Sequence, residues 1–590
     1  LAWRDRAWDQ TSGVIGLAAA RIHALPHQML VAQRVLADRQ VRFLLADEVG
    51  LGKTIEAGLI IQSLLALKPD LRVLVIVPGA LLSQWFLELY VRFGGQQYLM
   101  LDHERLRSYA GNPWVGEQFV LASARAVEEL AGKDALRLAT SKWDMVVVDE
   151  CHRMQPGGVL YKRVAVLSKA TPHVLLLSAT PARQHPDAYL ALLALLQPQV
   201  WRMDDLKAFT GRLAAHEHVA TLLARTIAAP VEELPALAAA WPLAAPGDAL
   251  LADLAATLTA KPQDLAAREA LVDHVREHLQ LDRRVVRNRR QVLARLATAT
   301  GIAAFAPTSR SRETVLYPVD AAEAAVRTAA AAYRAALVAG RDTVPPRLAH
   351  WLLQVELALA AHPVVLDRML AMRAAVLDDP AGVAEYRARA RADETLAQVL
   401  RSDLSENEIN SHIAISAACH AEPAREAAVL AALRTAATAW NRACSKKPTA
   451  RLTALVKRLQ AFWAESPAEK ALVFTTHNLA VGPLAAALRL ALGETTVETF
   501  GAHQDTAERE EAAGRFRTDD KCAVLVCDPL GGEGRNFQFV SVVVHHDLPW
   551  SLAAVEQRIG RVDRLGRDGD IPSWLLAPKD PLAVDAAWGE

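Results

Sequence analysis

The sequence predicts an α/β protein of two parallel-sheet lobes, with helical insertions between and within them. Three observations carry that expectation. Short apolar, β-branched runs alternate with helical stretches over residues 22–200. The same alternation returns over residues 468–580. The stretch between, roughly 205–445, is Ala-rich and helical in pattern.

Composition bounds what such a chain can be. Its 590 residues carry 66 Lys and Arg against 66 Asp and Glu, a formal net charge of zero. With 52% hydrophobic and 22% charged residues it can bury large cores, which excludes a mostly disordered chain. No run approaches the roughly 18 apolar residues of a membrane span, so no membrane partner is expected. The charge balance excludes a uniformly basic nucleic-acid binder but leaves room for a local basic stripe. The five cysteines form no CxxC pair and no metal-ligand spacing, which points to a reducing, cytoplasmic compartment.

In chain order, the first lobe's strands are expected at 41–46, 72–77, 145–148 and 173–177. Each is mainly apolar, as strands buried on both faces of a parallel sheet are. The second lobe's strands are expected at 471–474, 523–527 and 540–545. The intervening pattern is broken at Pro230, Pro235, Pro242, Pro246, Pro262, Pro345, Pro346 and Pro380. The expected domains are a first lobe over 1–205, a helical insertion over 206–281 and an Arg-rich linker over 282–310. Then follow the start of the second lobe at 311–339, a second insertion over 340–445, and the rest of that lobe over 446–590.

The first expected strand runs into Asp47-Glu48-Val49-Gly50-Leu51-Gly52-Lys53-Thr54 and then an apolar helix. Strand, Gly-rich turn and helix start together make a phosphate cradle. Gly50 and Gly52 let backbone N–H groups approach an anion, and the helix N-terminus favours negative charge. Lys53 would reach the β- and γ-phosphates of ATP, and the Thr54 hydroxyl would ligate Mg²⁺. Asp47 stands where the strict phosphate-loop pattern has its first Gly. A second strand ends in Asp149-Glu150-Cys151-His152, where open α/β sheets bind ligands. Asp149 would hold Mg²⁺ and Glu150 would orient the attacking water. The plainer alternative is two acids that end a strand and face solvent. A third strand ends in Ser178-Ala179-Thr180-Pro181, small hydroxyl residues that suit a turn or an element coupled to the phosphates.

Taken in order, these three segments resemble motifs I, II and III of superfamily-two helicase-like ATPases, and the form of the first resembles the Swi/Snf family. Residues 528–538 resemble motif V and residues 556–564 motif VI. The runs at 534–539, 546–550 and 556–564 resemble bacterial RapA-like members. The resemblance implies two RecA-like lobes and an ATP- and Mg²⁺-dependent enzyme. It implies that Gln28 reads adenine, that Gly534 and Gln557 line the nucleotide, and that Arg561 and Arg564 are arginine fingers. It assigns His152, Ser178 and Thr180 to coupling. It places Pro78, Gln84 and Ser123 along nucleic acid, although Trp85 beside them suits a core. Arg558 matches no implied role and is expected to face solvent. Cys151 replaces the family's usual Ala, and Arg567 its usual Gln. Residues 1–21 do not resemble the β-rich N-terminal region of polymerase-associated members, so polymerase binding is not expected.

Residues 282–295 hold six arginines and one aspartate. On a helix, Arg283, Arg287 and Arg290 would share one face. A solvated face is one reading. The resemblance implies a brace between lobes, with Arg287 and Arg290 toward DNA phosphates, contacts that give affinity without sequence information. The function so implied is a DNA-stimulated ATPase that translocates on double-stranded DNA and remodels protein–DNA complexes. A bacterial defence or genome-maintenance setting, with other DNA-processing proteins as partners, goes with that reading. The alternatives are a strand-separating DNA or RNA helicase and a binding module that has lost hydrolysis.

Overall fold

The computed structural model describes residues 20–22, 25–93, 98–178, 186–244, 248–278, 284–290, 292–293, 309–378, 413, 416–532, 536–550, 552–563, 567 and 570–579. The chain divides into two compact units, one drawn mainly from the residues up to 290 and the other from those beyond.

The first unit is built on seven strands: β1 (Arg42–Leu45), β2 (Val73–Val77), β3 (Leu99–Leu101), β4 (Phe119–Ser123), β5 (Met145–Val148), β6 (His173–Leu177) and β7 (Val285–Val286). Their order is β3-β4-β2-β5-β6-β1-β7, and every pairing is parallel. β2 reads Val-Leu-Val-Ile-Val and is buried along its whole length, so no polar alternation is needed. Because the strands are parallel, the C-terminal ends of β5, β6 and β1 lie side by side on one edge. The three chemistry-bearing segments leave from those ends. Ser178 N, just past β6, donates to Leu45 O at 3.0 Å and ties two of them together.

The four expected strands are present to within a residue at each end. β3 and β4 were not expected; β3 is only three residues long. The helices Leu206–Ala228, Leu234–Ala244, Ala249–Ala260 and Leu265–His278 surround a core of their own that includes Leu222, Trp241, Leu251 and Leu271. Pro235 and Pro242 do not break that pattern. Pro235 lies in the first turn of its helix, where an N–H has no partner to lose. Pro242 lies within two residues of its C-terminal end.

The second unit holds β8 (Arg310–Tyr317), β9 (Ala471–Phe474), β10 (Val497–Phe500), β11 (Val524–Cys527), β12 (Val542–His545) and β13 (Ile571–Pro578). Their order is β10-β11-β9-β12-β13-β8, again all parallel. Between β8 and β9 the helices Ala321–Val338, Pro346–Ala361, Pro363–Asp378 and Pro423–Cys444 pack on Tyr333, Trp351, Leu366 and Trp440. Within that core, Arg373 pairs with Glu426 at 3.1 Å, both fully buried. Tyr333 OH donates to Glu426 at 3.0 Å and Arg373 donates to Ala417 O at 2.9 Å. A buried charge pair is tolerable because its members have such partners. Among the described residues, no helix is long and apolar enough to cross a membrane.

Candidate active site

The loop after β1 depends on its glycines. Gly50 and Gly52 have φ of 84° and 94°, in the left-handed region that side chains disfavour. A Cβ at Gly52 would lie 2.4 Å from Gln28 Nε2, so that position must also stay bare for Gln28 to approach. The Gln28 amide is held in turn, its Oε1 accepting from Leu25 N at 3.0 Å. The helix Lys53–Leu67 starts directly after Gly52 and carries Thr54 in its first turn. Lys53 Nζ donates to Asp47 O at 2.8 Å. Burial lowers the Lys53 pKa, while the carboxylates of Glu150 and Asp149 act on it in the opposite sense. The loop lysine and the acid pair therefore share one site.

The acids are set by the end of β5. Asp149 N donates to Ile76 O at 2.9 Å, which extends the ladder with β2 by one residue. Asp149 Oδ1 accepts from Glu150 N and Oδ2 from the Trp85 indole Nε1, each at 2.8 Å. Burial and the neighbouring Glu150 carboxylate push the Asp149 pKa up to about 6. Glu150 has a φ of 47°, a strained backbone for a residue with a side chain. His152 Nδ1 lies 3.0 Å from Ser178 Oγ and 3.3 Å from Glu150 Oε2. The second and third segments are thus in contact. Thr180 lies outside the described residues.

Over 284–289 the Arg-rich segment is not a helix; helix is found at 290, 292 and 293. Val285 and Val286 form β7, a parallel edge strand beside β1, with Leu44 opposite Val285 and Leu45 opposite Val286. Two adjacent β-branched residues suit a sheet edge better than a helix face. Arg287 and Arg290 therefore do not share a helical face, and Arg283 and Arg295 lie outside the described residues. Arg284 pairs with Asp38 and lies over the Phe43 ring, 5.0 Å from its centroid. Beyond β7, Arg290 N donates to Glu48 Oε2 at 3.0 Å.

This edge strand explains a departure in the loop. Asp47 is fully buried, and its two oxygens accept from Asn288 N and Asn288 Nδ2, each at 2.8 Å. It anchors the segment after β7 to the start of the glycine loop. His27 and Glu56 join it in a buried group whose ligating atoms lie within 4.8 Å of one another. Burial, followed by the Asp47 charge, raises the Glu56 pKa well above the usual carboxylate range. Sequence reasoning missed this cluster. The visible signals were the Asp at a Gly position and a Glu among the apolar residues of the helix.

Of the residues expected along nucleic acid, Pro78 directly follows β2 and Gln84 lies in the helix Leu82–Arg92, both partly exposed. Ser123 is buried, and its Oγ accepts from Ala126 N at 3.1 Å as a helix cap. Trp85 is a core residue at 1% exposure.

In the second unit the helix Leu552–Gly560 carries Gln557, which is buried. Arg561 follows it, also buried, with its carbonyl accepting from Phe537 N at 3.0 Å. Arg558 does not face solvent. It is buried, donates to Asp547 O at 2.8 Å and lies 5.3 Å from the Phe474 ring centroid. Arg310 bonds Asp563 at 2.6 Å and Glu556 at 3.0 Å, pinning the end of this helix to β8. Gly534 and Arg564 lie outside the described residues.

A model of the SNF2-related domain matches residues 31–223, and a model of the helicase conserved C-terminal domain matches residues 450–566. Together they take in just over half of the chain and the strands of both sheets except β7, β8 and β13. The chain is a helicase-like ATPase of the Swi/Snf family. It is 29% identical over 592 residues to the RNA polymerase-associated protein RapA of Pectobacterium carotovorum, covering 97% of this chain and 49% of that protein. It is 28% identical over 565 residues to the protein of the same name from Sodalis glossinidius, covering 94% and 48%. This Swi/Snf ATPase thus spans about half the length of the curated relatives it matches. A solved Sulfolobus solfataricus SWI2/SNF2 ATPase core in complex with dsDNA is 14% identical, covering 95% of this chain and 89% of that one, with a TM-score of 0.34. Between the two matched stretches, 224–449 contains most of the first helical insertion and all of the second.

Proposed function

We propose that this Swi/Snf-family ATPase moves along double-stranded DNA and uses ATP hydrolysis to remodel or displace protein–DNA complexes. The observation that carries the reading is the grouping of Lys53, Asp149 and Glu150 past the ends of β1 and β5, on either side of β6, beside two left-handed glycines. A lysine beside a Gly-rich loop at a helix start suits a polyphosphate better than a neutral ligand.

The donor set fits Mg²⁺. Asp149 is a hard oxygen ligand beside a second carboxylate, a pairing that a cation relieves, and Thr54 adds a hydroxyl at the helix start. When bound, Mg²⁺ neutralises charge on the β- and γ-phosphate oxygens. This chain's residues do the rest. Loop N–H groups and Lys53 hold the phosphates, and Gln28, fixed beside Gly52, reads the adenine. Glu150 orients a water and accepts its proton as the water attacks the γ-phosphorus. The bond to the β-phosphate oxygen breaks, leaving ADP and phosphate. Arg561 and Arg564 stabilise the charge that spreads over the transferred group. Gln557 and Gly534 line the same nucleotide. His152 and Ser178, already in contact, couple the state of the γ-phosphate to the rest of the unit, with Thr180 in the same role. Pro78, Gln84, Arg287 and Arg290 contact the DNA backbone.

The test is the ATPase rate with no nucleic acid, single-stranded DNA, duplex DNA and RNA. Duplex DNA stimulates most, and Lys53→Ala abolishes turnover. A rate indifferent to duplex DNA refutes the translocase reading. Displacement of a labelled strand would assign the protein to the strand-separating helicases instead.

A further inference from the structure

Trp85 is a large buried side chain whose one polar atom is spent on a single partner. It lies in the helix Leu82–Arg92, is 1% exposed, and its indole Nε1 donates to Asp149 Oδ2 at 2.8 Å. Filling this core needs an aromatic ring, but it does not need an N–H. An indole N–H in an apolar surround is costly unless it is bonded, so its placement against a carboxylate is specific. The other oxygen, Oδ1, accepts from Glu150 N at 2.8 Å. One donor on each oxygen fixes the plane of the carboxylate. Each oxygen keeps a second lone pair for a further partner.

We propose that Trp85 is a positioning residue that holds Asp149 in the orientation required to bind Mg²⁺. The proposal rests on the reading of Asp149 as the metal's carboxylate. Outer partners of this kind set the rotamer of a ligand and thereby its affinity for the ion. The same bond gives the helix Leu82–Arg92 a direct hold on the metal site. Gln84, placed on DNA in the proposed function, is the residue before Trp85. A shift of that first helical turn on DNA would move the N–H relative to Oδ2. Engagement of nucleic acid would then be felt at Asp149 through one hydrogen bond.

The experiment measures binding of a fluorescent ADP analogue to the full chain, titrated with Mg²⁺ and repeated in EDTA. Trp85→Phe keeps the ring and removes the N–H. It raises the Mg²⁺ concentration for half-maximal tightening about tenfold. Affinity in EDTA is unchanged, which a general packing defect would not spare. Trp85→His, which retains a ring N–H, recovers part of the Mg²⁺ response and keeps the test open if Trp85→Phe folds poorly. Asp149→Asn abolishes the Mg²⁺ response, and adding Trp85→Phe to it changes nothing more. If Asp149→Asn leaves the response intact, the reading of Asp149 fails. If Asp149→Asn removes the response while both Trp85 variants keep the parent's Mg²⁺ requirement, Trp85 is packing alone and the proposal is overturned.

Discussion

Replacing Arg558 with Ala should destabilise the second unit, although sequence alone sets this residue in solvent. The side chain is 3% exposed, donates to Asp547 O at 2.8 Å, and has Nη2 4.0 Å from Asp547 Oδ1. Its guanidinium also lies over the Phe474 ring, 5.3 Å from the centroid. Burial lowers its pKa to about 10, so desolvation already opposes the charge and the partners offset that cost. Removing one member of a buried pair costs about 3–5 kcal/mol, because the other charge is left behind. Here Asp547 keeps three donors: Thr475 Oγ1 at 2.9 Å, Thr476 N at 2.7 Å and Thr476 Oγ1 at 3.0 Å. The loss therefore falls at the lower end, about 3 kcal/mol. At roughly 2–4 °C per kcal/mol for a unit of this size, the melting temperature drops by roughly 6–12 °C. Arg558→Met refills the volume over Phe474 and recovers part of that loss. Thermal melts of the full chain followed by circular dichroism read both values. A melting temperature for Arg558→Ala within about 1 °C of the parent would refute the argument, since no buried pair could then have been broken.

Gly52→Ala should cut nucleotide affinity more than tenfold with the fold retained. The φ of 94° and a Cβ 2.4 Å from Gln28 Nε2 force the loop to move, and binding of a fluorescent ADP analogue reports it. Asn288→Ala removes the side-chain donor to Asp47 Oδ2 but keeps the backbone N–H to Oδ1, leaving a buried carboxylate short of one partner and costing about 1–3 kcal/mol in urea denaturation of the first unit. His350, His545 and His546 are held neutral by burial, with pKa values lowered to about 4, 3 and 3. The unfolded chain takes up protons near pH 6.5 while the folded one does not, so their stabilisation is complete above that pH and is lost as pH falls toward 4. Between pH 7.5 and 5.5 the loss is about 1.4 kcal/mol per histidine, visible as a falling melting temperature; a flat profile would contradict it.

Most of the sheet scaffold was legible because a parallel sheet buried on both faces writes itself as unbroken apolar runs. Met145–Val148, His173–Leu177 and Ala471–Phe474 are found at their expected bounds for that reason. Leu99–Leu101 is too short to stand out, and Val285–Val286 is hidden between arginines. The acid pair and the glycine loop were legible as chemistry, since their residue types and strand-end positions suit phosphate. Their supports were not. The Trp85 indole reaches Asp149 across 64 positions, and Asn288 reaches Asp47 across 241. No local spacing encodes contacts of that range.

The Arg-rich segment shows where charge periodicity misleads. Arginines spaced at 283, 287 and 290 invite a helix, because a helix is the simplest way to align like charges. The residues that decide the conformation are the two valines between them. Val285 and Val286 gain a whole sheet edge by pairing with β1, and the arginines go where the strand sends them. Asn288 then falls opposite the loop and meets Asp47 with both of its donors. An acid at that loop position is tolerable only if such a partner exists, since a buried carboxylate without donors costs several kcal/mol. The aspartate at a glycine position was therefore a demand for a donor from elsewhere in the chain. The short extended run among the arginines is what supplies it.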